Sequence, residues 1–354
     1  MSSQPTIKDV ARLAGVSIGT VDRVIHNRGR VSSANQAAVN RAIQTLQYHP
    51  SQVARALSIQ KKNLKIGVSF PFVEEYFWTD AKAGIVAASA QLEKFGVEVI
   101  LDLHNSYAAE DLQRSVERLL SRGVNALAMT PARESAEILN KLIPDDIVFC
   151  TVVDDCPMSK RLFHIGPDDY AMGQTLARLA MLYRPDPLNV AVIAPNMHLE
   201  GTVRRLSGFQ DMLKEENRAD ALLEVCPIEG YTEKQSYDNI YEKTLSLIST
   251  YPQLNAIYVT NGLTQWAASA LQKAKKQKEI SVFGHEYTSM TEDFVLSGAI
   301  TATVYQKPAQ EWYRALTILS EYLMNEREAP SGNIFTECSV IIKETLPLMH
   351  PGYE

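Results

Sequence analysis

Over the first 46 residues apolar side chains recur at helical spacing. In the opening run TIKDVARLAG, Ile7, Val10, Ala11 and Ala14 fall at i, i+3, i+4 and i+7, one face of a helix. Thr6 and Asp9 form a capping box at its start, and Gly15 supplies the stop. Val21, Val24 and Ile25 make a second stripe, with Ser17 as the N-cap of its helix. Ala38, Val39, Ala42, Ile43 and Leu46 mark a third helix, ended by Pro50. Together they predict a small all-α head whose first two helices form a helix-turn-helix. The segment 51–63, SQVARALSIQKKN, is too short and too polar for a stable lone helix. It reads as a linker that becomes helical when supported.

From Leu64 the period changes. Short β-rich runs (KIGVSF, VEVILDL, VNALAMT, IVFCTVV, NVAVIA, NAIYVT, ISVFG, ITATVY) alternate with helical stretches such as AKAGIVAASAQLEKFG and RRLSGFQDMLKEE. This alternation predicts parallel sheets covered by helices, which bind ligands at the carboxyl ends of their strands. The units are too many for one sheet, and HIGPDD at 164–169 looks like a crossing point. The expected architecture is a helix-turn-helix head, 1–50, a hinge, 51–63, and an α/β effector domain, 64–345, of two doubly wound parallel-sheet lobes. Lobe 1 is placed at about 64–165 and 307–328, lobe 2 at about 166–306 and 331–345.

Composition adds three constraints. With 354 residues, 45% hydrophobic, the chain can bury sizeable cores, yet no apolar run nears the ~20 residues of a membrane span. The N-terminus MSSQPTIKD has no basic-then-apolar signal, and the four cysteines show neither C-x-x-C nor Cys/His metal spacing. A cytoplasmic protein with free thiols, no metal and no cofactor is expected. The net charge of −6 is unevenly spread. Residues 1–62 carry nine Lys and Arg against Asp9 and Asp22, a net of +7, leaving −13 on the remainder. A basic head on an acidic body points to phosphate contacts at one end.

Gly15–Val16–Ser17–Ile18–Gly19 also fits the G-x-S-x-G elbow of serine hydrolases. An elbow needs a strand before the serine, and the residues before Ser17 have helical spacing. No G-x-G-x-x-G, P-loop or H-E-x-x-H is present, so a non-enzyme is expected. On the second helix Ile18, Gly19, Asp22, Arg23 and His26 lie away from the apolar stripe, free to face a major groove. Arg23 is the best base reader, because its fork matches guanine O6 and N7.

The runs TIKDVARLAGVS, TVDRVIHNRGRVS, YHPSQVARAL and LKIGVSFP resemble the lac repressor/galactose repressor family of bacterial transcription regulators. The body is similar to periplasmic sugar-binding proteins of the ribose type. The resemblance implies base contacts from Ile18, Gly19 and Arg23, and phosphate contacts from Thr6, Thr20, Asn27 and Ser32. The family usually has Ser where this chain has Asp22. In the linker Ala54 and Leu57 share a face, and the equivalent leucine wedges into the minor groove at the operator centre, which implies a homodimer on a pseudo-palindrome.

For the ligand, the resemblance places Phe77 and Trp78 as a stacking pair and Glu75 as a polar contact. Asp154, Arg205, Asn261, Glu286 and Gln306 stand at strand or helix ends where that family binds sugar, with Asp155, Arg204 and His285 as second choices. Glu75, Asp154 and Glu286 make the site acidic, favouring a neutral polyhydroxylated effector over a dicarboxylate. A purine or nucleoside is the alternative effector. A solute-binding protein that does not touch DNA, and an α/β enzyme using the cleft carboxylates, are the competing classes.

Overall fold

A computed structural model describes residues 5–25, 31–46, 48, 63–73, 75–184, 186–229, 233–324, 328 and 330–349. The head has three helices, α1 (Ile7–Ala14), α2 (Ile18–Ile25) and α3 (Ser33–Leu46). At the start of α1 the Thr6 N–H and hydroxyl both donate to Asp9 Oδ2, at 2.9 and 2.7 Å. Gly15 turns the chain at φ 67°, the left-handed conformation that glycine adopts without steric cost. Val10, Val21, Val24 and Val39 bury their side chains together, each worth roughly 1.5–3 kcal/mol.

The body holds two six-stranded sheets. The first has strands β1 (Leu64–Pro71), β2 (Val97–His104), β3 (Ala126–Met129), β4 (Val148–Val152) and β5 (Phe163–Gly166). The second has β6 (Val190–Pro195), β7 (Leu222–Ile228), β8 (Ala256–Val259), β9 (Ser281–His285) and β10 (Ala302–Tyr305). Two late strands, β11 (Gly332–Phe335) and β12 (Ser339–Ile341), complete the orders β11-β5-β4-β3-β1-β2 and β12-β10-β9-β8-β6-β7. All pairings are parallel except β10 with β12. Alternate residues feed opposite cores, as the two-residue strand period requires: Ala126 and Ala128 join Ile66 and Val68, while Leu127 and Met129 join Ile100 and Leu119.

The helices that matter for the site are α4 (Glu75–Glu93), α5 (Ala109–Ser121), α6 (Ala136–Leu142), α7 (Asp169–Tyr183), α8 (Glu200–Glu215), α9 (Glu233–Thr250), α10 (Thr264–Lys273), α11 (Ser289–Leu296) and α12 (Pro308–Leu323). Helix α12 packs along α4 on the first sheet, and α7 along α8 on the second. Both pairs approach backbone to backbone: a Cβ on Gly84 of α4 would lie 2.0 Å from the Ala309 carbonyl oxygen of α12. A Cβ on Gly173 would lie 2.0 Å from the Arg205 carbonyl oxygen, and one on Gly208 2.0 Å from that of Tyr170.

The chain passes between the sheets after β5, after β10 and again between β11 and β12. The third passage corrects the expected lobe boundary. Gly332–Phe335 pairs with Phe163–Gly166 of the first sheet, so the stretch 331–345 divides between lobes instead of lying wholly in the second. A short run such as GNIF carries no mark of which sheet edge it will extend. The hinge segment expected at 51–63, with Ala54 and Leu57, lies outside the described residues apart from Asn63. Among the described residues no helix is long and apolar enough to cross a membrane.

Candidate functional site

The carboxyl ends of the parallel strands from both sheets meet around one cavity, enclosing about 650 Å³ of space that is partly open to solvent. Phe77, Trp78, Asp154, Arg205, Asn261, Glu286 and Gln306 all line it. Glu75 opens α4, and its side chain is outside the described residues. The first lobe contributes mainly an apolar wall of Phe77, Trp78, Tyr107 and Val153, the second a polar one.

Backbone strain aims several of these side chains. Val153, Asn196, Glu286 and Lys307 have φ of 71°, 59°, 68° and 62°, each just beyond the end of β4, β6, β9 or β10. Positive φ is costly for a β-branched valine, and such strain collects at ligand sites.

Arg205, on α8, is buried and largely committed. Its Nε donates to Asp169 Oδ1 at 2.7 Å, Nη1 to the Thr260 carbonyl at 3.3 Å, and Nη2 to Gln306 Oε1 at 3.2 Å. The close approach of α7 and α8 sets the first of these contacts. Burial works against the guanidinium charge, but Asp169, Glu286 and Asp154 outweigh it.

Glu286 is only 3% exposed, and neither carboxyl oxygen has a hydrogen-bond partner in the protein. Burial pushes its pKa up to about 8, against the pull of Arg205 and with the push of Asp169 and Asp80. Asp154 accepts from the Gly201 N–H at 2.8 Å, and burial with nearby Asp169 lifts it to about 7. Other buried atoms of the cavity wall also lack partners: Asn196 Oδ1, Gln265 Oε1, Thr288 Oγ1 and Trp78 Nε1. Buried polar groups are normally satisfied, so a cluster of unsatisfied acceptors with the Trp78 Nε1–H donor among them, around one cavity, fits a guest whose groups both donate and accept.

Trp78 is core as well as wall. It is 1% exposed and stacks on Phe70 with ring centres 4.8 Å apart, whereas Phe77 meets it edge-on at 4.9 Å and stays partly exposed. The second-choice residues do not line the cavity. Asp155 pairs with Arg161 inside the first lobe, Arg204 lies over the Tyr170 ring, and His285 hydrogen-bonds Tyr258 Oη. Sequence reasoning missed Tyr107, Asn196, Thr202, Gln265 and Thr288. Asn196 follows β6 as Asn261 follows β8, so the strand-end rule that found one applies to the other.

In the head, Thr20 N–H donates to Ser17 Oγ at 3.2 Å, and Asn35 N–H to Ser32 Oγ at 3.3 Å. Ser17 therefore caps α2, and Ser32 caps α3. Helix α1, not a strand, precedes Ser17, which removes the hydrolase elbow. Ile18, Gly19 and Arg23 are exposed on one side of α2, and the Arg23 guanidinium reaches Thr20 Oγ1 at 3.3 Å. Thr6 and Ser32 are exposed at helix starts, while Asn27 is outside the described residues.

Comparison with known proteins agrees with this division. Residues 66–327 match the model of the periplasmic binding protein domain, and residues 6–51 that of the bacterial regulatory proteins of the lacI family. The chain belongs to the periplasmic binding protein domain family and carries a lacI-family helix-turn-helix ahead of that domain. It is 32% identical over 164 residues to the HTH-type transcriptional regulator GalR of Escherichia coli (strain K12), covering 42% of this chain and 46% of that one. In that alignment the chain spans about half the length of its relative. Identity to the HTH-type transcriptional repressor PurR of Pasteurella multocida (strain Pm70) is 26% over 349 residues, 96% of this chain and 98% of the other. Among solved structures, GanP, a glucose-galactose binding protein from Geobacillus stearothermophilus, superposes with a TM-score of 0.71 at 22% identity, over 80% of this chain and 99% of GanP.

Proposed function

We propose that the protein is a DNA-binding transcriptional repressor whose operator affinity is set by a small neutral polyhydroxylated ligand, a monosaccharide or polyol, held between the lobes. It acts as a cytoplasmic homodimer on a pseudo-palindromic operator and catalyses no reaction. The observation that carries the ligand reading is Glu286, a buried carboxyl with both oxygens unpartnered in a cavity walled by Phe77 and Trp78. Ring C–H faces cover aromatic walls, and hydroxyls, which both donate and accept, supply the missing partners. Ile18, Gly19 and Arg23 read base edges, Thr6, Thr20, Asn27 and Ser32 hold phosphates, and Ala54 and Leu57 form the minor-groove wedge. The PurR and GalR likenesses support regulation, and the GanP likeness supports the two-lobed fold.

A thermal-shift screen against monosaccharides, polyols and nucleobases identifies the ligand, since saturation at 100 times Kd adds about 2.7 kcal/mol of stability. With the ligand so found, Glu286→Ala should lose about 1–3 kcal/mol of affinity and abolish the ligand's effect on operator binding, leaving DNA binding intact. Full ligand response in both Glu286→Ala and Trp78→Ala would place the effector site elsewhere.

A further inference from the structure

The segment His198–Gly201 belongs to the second lobe, running from the loop after β6 into the first turn of α8, yet the first lobe grips it at every residue. The Arg133 N–H donates to the His198 carbonyl at 2.9 Å. Leu199 is 6% exposed and packs within the first lobe's core, in the cluster that holds Phe70, Trp78 and Tyr107. Arg133 Nε lies 2.9 Å from Glu200 Oε2, and Asp154 accepts the Gly201 N–H at 2.8 Å. The Tyr107 ring stands beside the His198 imidazole, with centres 5.7 Å apart. A second contact between the lobes is Tyr305 Oη, which donates to Asp80 Oδ2 at 2.5 Å.

We infer that His198–Gly201 is a latch: an apolar bolt, Leu199, seated in the opposite lobe and flanked by a charge pair, one backbone–backbone hydrogen bond and one from the Gly201 N–H to the Asp154 carboxylate. Every one of these contacts joins protein atoms to protein atoms. They therefore bias the lobes toward closure independently of any guest, and a ligand adds only its own differential affinity to that bias. Of the parts, Leu199 dominates, because a buried leucine outweighs an ion pair whose arginine is half exposed. The charge pair acts as a trim. The inference rests on contacts between the lobes, and because Tyr107, Asp154 and Leu199 also line the cavity, its test is made with no ligand present.

The test is the distance between spin labels introduced at exposed Glu117 and Lys214, one on each lobe, measured on the full chain with no ligand or DNA added. Arg133→Glu should shift the closed-to-open ratio toward open by about fivefold, and Arg133→Glu with Glu200→Arg should restore it. Leu199→Ala should shift the ratio by more than about tenfold. Circular dichroism separates opening from loss of fold. Unchanged distances in both folded single variants would overturn the latch, as would failure of the charge swap to restore what Arg133→Glu had opened.

Discussion

Glu286 shows what one buried carboxyl contributes. Unpartnered and surrounded by Asp169, Asp80 and a committed Arg205, it keeps its proton in the folded protein to a pH at which an unfolded glutamate has long released it. With the folded pKa raised, the stabilisation is complete below the unfolded value of about 4.5 and is lost as pH rises through about 8. His285 has the opposite shift, since burial holds it neutral, and its influence ends above the ordinary histidine range. In the window from about pH 7 to 8.5 the loss therefore comes from Glu286 together with its neighbour Glu311, which burial also raises well above the ordinary glutamate value, with a smaller tail from Asp154. Across it the thermal midpoint of the parent should fall by several degrees, at roughly 2–4 °C per kcal/mol, and that of Glu286→Gln should fall by clearly less, Glu311 and Asp154 supplying what remains. Parallel pH curves for the two proteins would remove Glu286 as the buried proton carrier.

The elements were legible in the sequence where periodicity was clean, and less so where it was not. Helices α1, α2 and α3 follow from apolar spacing and caps, and β1 from an apolar run buried on both faces. Strand β7 is harder to read: LLEVCPI places Glu224 and Pro227 in an edge strand, where proline's missing N–H is tolerated. In the site, strand-end residues were found because topology aims them at the cleft. Gln265 and Thr288 sit at helix starts on loops, positions that no sequence period marks. Trp78 shows the limit of residue type, since its spacing cannot tell a stacking wall from a core ring that also forms the wall.

The same clarity in the head supports a sharper test. Ser17→Ala removes the α2 cap and should cost about 0.5–2 kcal/mol of head stability, read from helical circular dichroism on heating. Arg23→Ala should instead leave the fold intact and lose about 1–3 kcal/mol of discrimination at one base pair of each half-site. Equal weakening on every sequence would make Arg23 a phosphate contact.

At the scale of the whole molecule, two sites with different physics share one chain. The proposed DNA end, residues 1–62, carries nine basic residues against two acidic ones, and the rest of the chain is acidic, which would confine attraction to phosphate to the head. Each phosphate neutralised releases counterions, and 6–10 such contacts cost about 10³–10⁵ in affinity between 50 and 200 mM salt. The cleft works differently. Its charges are buried, Asp169 is already paired with Arg205, and the proposed guest is neutral. Burial shields such a site from salt far better than an exposed surface. Operator affinity measured by fluorescence anisotropy should therefore fall steeply with salt. Effector affinity measured by calorimetry should stay within about twofold over the same range, because counterion release has no part in it. The ratio of operator affinities with and without effector should likewise hold constant, since it reflects the lobes' differential affinity for the effector and not the phosphates. An effector affinity that dropped in step with operator affinity would mean that the guest carries a charge, and the neutral polyol would have to give way to an ionic ligand.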